Sequence, residues 1–75
     1  MTHSKETQLD ILKLELKKRE KIYNSCNRRL EKYQRANQRV FNAVSQDDID
    51  DVILELETER LEIEKLTLEI EELSK

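Results

Sequence analysis

Chemistry in this chain would have to start from one cysteine, one histidine, two tyrosines and seventeen carboxylates. Cys26 and His3 stand far apart, and no HxxxH, CxxC or other ligand spacing joins either to a second metal-binding group. A nucleophile needs a base within hydrogen-bond reach, and the chain has no second histidine to offer. A phosphate-cradling loop needs glycine, and there is none. The glutamates recur along a soluble, strongly charged chain, with no sign of the concave, desolvating site that would shift a carboxylate pKa. We therefore expect no catalytic, cofactor-binding or metal-binding residues, no small-molecule substrate, and a protein that is not an enzyme.

The residues that do fall at a regular spacing are cationic. Arg28, Lys32, Arg35 and Arg39 follow i, i+4, i+7, i+11, which lines them up on one stripe of a helix. Lys18 and Lys21 extend the same outer face, and Asn24, Gln34, Gln38 and Asn42 lie beside it. Such a stripe can contact nucleic-acid phosphates or an acidic protein surface, although a solvated helix face is the ordinary reading. Against nucleic acid, the rest of the chain is acidic, no DNA-reading motif is present, and neither tyrosine lies on the stripe. A nucleic-acid-binding regulator is thus the alternative expectation.

These residues sit in a chain of good helix formers. Charged residues make up 41% and aromatics only 4%, which excludes a β-sandwich or α/β core and points to long helices. Cys26 has no partner for an internal disulfide, which fits a reducing compartment. The N-terminal stretch has no apolar run of signal-peptide length, and the longest such run, Val52–Leu54, cannot span a bilayer. A cytoplasmic protein without membrane contact is expected.

A heptad seam runs Leu9, Leu12, Leu16, Arg19, Tyr23, Cys26, Leu30, Tyr33, Asn37, Val40, Val44, with Arg19 and Asn37 its polar exceptions. Cys26 and both tyrosines are therefore read as core residues, the tyrosine hydroxyls reaching the rim. A second seam runs Ile49, Val52, Leu56, Glu59, Ile63, Leu66, Ile70, Leu73, with Glu59 its exception. The step of five from Val44 to Ile49 puts the seams out of phase, so one partner face cannot serve both along a continuous helix.

Local chemistry between the seams favours a reversal. Ser45 is a good N-cap with Asp48 in capping-box position, and Val44 and Ile49 have the spacing of a hydrophobic staple. Asp47, Asp48, Asp50 and Asp51 suit a helix start, Arg35 and Arg39 a helix end. Asn42 is able to adopt the left-handed conformation without glycine. The expected architecture is all-α: a single antiparallel two-helix coiled-coil hairpin over residues 1–75. Helix 1 is placed at about 5–43, the turn at about 43–46 and helix 2 at about 46–73. One long continuous helix in a coiled coil is the alternative.

Residues 1–44 carry eleven Lys/Arg against five Asp/Glu, and residues 45–75 three against twelve, so folding back lays a basic helix along an acidic one. The expected register sets Asn37 opposite Leu56, Leu30 opposite Ile63 and Tyr23 opposite Ile70, with Arg29 near Glu62 and Phe41 beside Ile53. It leaves about ten residues of helix 1 overhanging, with Leu9, Ile11, Leu12, Leu14 and Leu16 uncovered. Leu54, Leu61 and Leu68 form a further row on the face of helix 2 away from its seam. The eight residues are the expected partner-binding set. A homodimer closing into a four-helix bundle, or another helical protein, would cover them. The function expected is that of a non-catalytic protein-binding module, an adaptor, chaperone, inhibitor or assembly factor.

Overall fold

The computed structural model describes residues 4–75 as two long helices folded back on each other, α1 (Lys5–Arg39) and α2 (Gln46–Ser74), joined by residues 40–45. The molecule is a rod of 56 × 21 × 14 Å, the length of a hairpin and not of a continuous helix. Two features missing from the sequence reading shape its ends. Ser4 caps α1, its hydroxyl accepting from the Thr7 amide at 3.1 Å. At the turn, α1 stops at Arg39 and not near residue 43, with Val40 in an extended conformation as its C-cap.

The reversal is built from side chains in place of glycine. Asn42 takes φ of 56°, the left-handed region that asparagine tolerates better than other non-glycine residues. It lies in the connecting turn, beyond the helix end that it was expected to close. Ser45 Oγ accepts from the Asp48 amide at 3.2 Å and caps α2. Asp48 does not return a side-chain bond to the Ser45 amide, so only half of the capping box is made. Val44 and Ile49, the staple positions, are both half-buried. Asn37, a polar exception in the first seam, spans the turn: its Oδ1 accepts from the Val44 amide at 2.8 Å and its Nδ2 donates to the Val44 carbonyl at 3.2 Å. It serves the backbone as a neighbouring strand would.

Both seams face inward throughout the helices. Cys26, Val52 and Leu66 are buried, and the other seam positions in α1 and α2 are half-buried. That is what two helices can do, since each side chain is covered from one direction only.

The register differs from the one expected. Arg29 Nη1 lies 3.4 Å from Glu55, not near Glu62. Leu30 and Tyr23 line a common groove with Ile53, Leu56 and Arg60, not with Ile63 or Ile70. Phe41 is 89% exposed and is not covered by Ile53. Each α1 residue thus meets α2 between one and two heptads nearer the turn, and Lys5 Nζ reaches the Lys75 carbonyl at 3.1 Å. Among the described residues α1 has no overhang: Leu9, Leu12 and Leu16 are half-buried in the seam, and Leu12 lies beside Leu73.

Two features accompany the shift: α1 ends at Arg39, and the one charged residue of each seam meets the other. Arg19 Nη1 donates to both carboxylate oxygens of Glu59, at 3.1 and 3.3 Å, while its Nε holds Glu15 at 3.1 Å. In the slipped register Arg19 would have kept only Glu15 of its own helix and the half-buried Glu59 would have faced Gln34, and a half-buried charge without a counter-charge is disfavoured. Glu59, by hydrogen bond and then by charge, holds the Arg19 guanidinium still more firmly protonated than usual.

Candidate interaction surfaces

Closing the seam along its full length decides which apolar residues remain outside. Of the expected partner-binding set, Leu9, Leu12 and Leu16 are spent on the hairpin itself, while Ile11 and Leu14 stay exposed on the outer face of α1. Leu54, Leu61 and Leu68 stay exposed at 66%, 58% and 61% on the opposite outer face of α2. A seven-residue repeat returns to nearly the same angle on a helix, so the three form a continuous ridge. A shallow groove of about 660 Å³ runs along its C-terminal part, its lining including Leu61, Glu64, Lys65, Leu68 and Leu73.

The structure therefore divides the eight residues into two separate surfaces and a core contribution. It also adds an apolar tip that was not singled out: Val40 and Phe41 are 62% and 89% exposed at the turn. The signal for the tip was Phe41 itself, an aromatic one position off the seam at the foot of the reversal.

The basic stripe is intact. Arg28, Lys32, Arg35 and Arg39 are all exposed, and among the described residues none forms an ion pair with a carboxylate. The cations that pair with carboxylates of α2, Arg19 and Arg29, lie off the stripe. The stripe and the leucine ridge thus lie on opposite sides of the rod, with different chemistry.

Around Cys26 the geometry is that of a held side chain. Its Sγ donates to Glu55 Oε2 at 3.2 Å, and the same oxygen takes Arg29. Burial, followed by the Glu55 carboxylate, raises the thiol pKa and keeps it protonated, the reverse of what a reactive cysteine needs. Tyr23 and Tyr33 are half-buried in the seam. Among the described residues no three His, Cys, Asp or Glu side chains are grouped to hold a metal ion, and no helix is long and apolar enough to cross a membrane. His3 lies outside the described residues.

The fold and its surfaces define a class by architecture: an antiparallel helical hairpin with an apolar ridge on one edge and a cationic stripe on the other. Comparison with known protein families, curated proteins and solved structures gives no match.

Proposed function

We propose that this chain is a small non-catalytic protein–protein interaction module, acting as adaptor, chaperone, inhibitor or assembly factor through the leucine ridge of α2. One observation carries the reading: Leu54, Leu61 and Leu68 remain 58–66% exposed on a hairpin whose own seam is closed from end to end. Isolated apolar residues on a surface are ordinary, but three in helical register make a strip to which another helix can pack. The partner is helical, either a second copy completing a four-helix bundle or a different protein. Solution mass by light scattering, for the chain alone and co-purified from its host, tests this on wild type and on the Leu54→Ser/Leu61→Ser/Leu68→Ser variant. The variant should keep the helix content and lose association; identical mass and composition for both chains would remove the ridge from the function.

A nucleic-acid-binding regulator is the second reading, supported by Arg28, Lys32, Arg35 and Arg39, which are exposed and form no ion pair among the described residues. A gel-shift titration at low and high salt should show binding that weakens steeply with salt and on replacing Arg28, Arg35 and Arg39. No shift at low salt rejects it.

A further inference from the structure

We infer that the Leu54/Leu61/Leu68 ridge is built to receive a basic amphipathic helix of another protein and not the α2 of a second copy. The inference rests on the interaction-module reading and names the partner's chemistry. The ridge is 14 residues from Leu54 to Leu68, about 21 Å at helical rise. Along one flank run Asp50, Glu57, Glu64 and Glu71, each three or four positions from a leucine and all exposed. Among the described residues only Glu64 has a cation of its own chain within 4 Å, Arg60 at 3.7 Å; Asp50, Glu57 and Glu71 form no such pair. The other flank is mixed, with Asp51, Thr58, Lys65 and Glu72.

This charge pattern acts against self-pairing. A two-fold antiparallel pair of α2 helices centred on Leu61 would face Leu54 with Leu68, which suits the leucines. The same symmetry sets the acidic flank against itself, Glu57 opposite Glu64 and Asp50 opposite Glu71, while the mixed flank meets itself with Asp51 opposite Glu72 and Thr58 opposite Lys65. A parallel pair sets the acidic flank against the mixed one, where Lys65 is the single cation. In both cases each α2 brings twelve Asp/Glu against two Lys/Arg. A second copy's α1 has the opposite charge, but its outer face is apolar only at Ile11 and Leu14 and cannot match three leucines. The complementary partner is a helix with apolar residues every three to four positions and Lys or Arg along the one edge that meets Asp50, Glu57, Glu64 and Glu71.

The test uses the full chain and two fluorescein-labelled helical peptides of about 20 residues, enough to cover the ridge. Both peptides repeat leucine at the ridge spacing; one carries lysines along a flank and the other glutamates. By fluorescence anisotropy the lysine peptide should bind and the glutamate peptide should not, with binding that falls as salt rises. Leu61→Ser should weaken it about tenfold or more, as loss of a central apolar contact does. The Glu57→Lys/Glu64→Lys variant should reverse the preference toward the glutamate peptide. All of these positions are exposed, and circular dichroism verifies that the variants stay helical. Equal binding of both peptides, no binding of either, or lysine-peptide binding untouched by Leu61→Ser would overturn the inference. So would sedimentation showing a dimer of the chain alone that Leu61→Ser reduces to a monomer. That last result would leave the interaction-module reading standing with a second copy as occupant.

Discussion

At the scale of single residues, Asn37 does the most with the least. A helix ending without glycine or proline leaves backbone groups unserved, and Asn37 supplies one acceptor and one donor to Val44 across the turn. Asn37→Leu would improve the apolar seam, yet it removes both bonds. It should destabilise the hairpin by about 1–3 kcal/mol in urea unfolding. Asn37→Asp keeps the acceptor and loses the donor, and should fall between; a more stable leucine variant would show that the seam outweighs the turn. Cys26 gives a pH-dependent counterpart. Burial and Glu55 raise its thiol pKa, so the unfolded chain ionises first. The stabilisation is complete below the ordinary thiol pKa and declines as pH rises through the raised one. Wild type should therefore lose stability more steeply than Cys26→Ala in that alkaline window, measured as unfolding midpoint against pH. Parallel curves for the two chains would deny the thiol this role.

At the scale of the elements, two devices position α2 against α1. The Ser45 cap makes the start of α2 distinct from the end of α1, and Ser45→Ala should cost about 0.5–2 kcal/mol. Together with Asp48→Ala it should favour a longer, continuous helix, visible as a larger radius by small-angle scattering. A variant of unchanged shape and stability would mean that Asn37 and Asn42 make the turn alone. The Arg19–Glu59 pair acts on register. Arg19→Leu alone leaves Glu59 facing apolar neighbours and should lower the melting temperature. Arg19→Leu with Glu59→Leu should recover or exceed wild-type stability, while loosening the register, read as a broader spread of inter-helix spin-label distances. An unchanged distance distribution in the double variant would mean that other contacts hold the helices in place.

At the scale of the whole molecule, a hairpin with three buried core residues among those described has little stability in reserve. Leu66→Ala should cost about 2–5 kcal/mol and largely unfold the chain when measured by circular dichroism. The ridge substitutions to serine should leave its helicity intact, because those side chains contribute almost nothing to the hairpin. That contrast separates the residues that make the fold from those free to serve a partner. A monomer in solution should show a radius of gyration close to 17.0 Å, well below that of a continuous helix of about 65 residues spanning nearly 100 Å.

The two helices, their seams, the reversal near Ser45, the exposed leucine ridge and the basic stripe are all legible in the sequence. Each follows from local rules, namely helix propensity, a seven-residue repeat and capping chemistry within a few residues. What local rules do not contain is how far one helix slides along the other. Heptad seams repeat, so several registers bury similar leucines, and the choice fell to the meeting of Arg19 with Glu59 and to where the turn ends α1. The clue was present as one charged exception in each seam, but it has meaning only when the two helices are set side by side. That tertiary choice moved Leu9, Leu12 and Leu16 from an exposed overhang into the half-buried seam. It did not touch Leu54, Leu61 and Leu68, which stay exposed on the face that no register of the hairpin can cover.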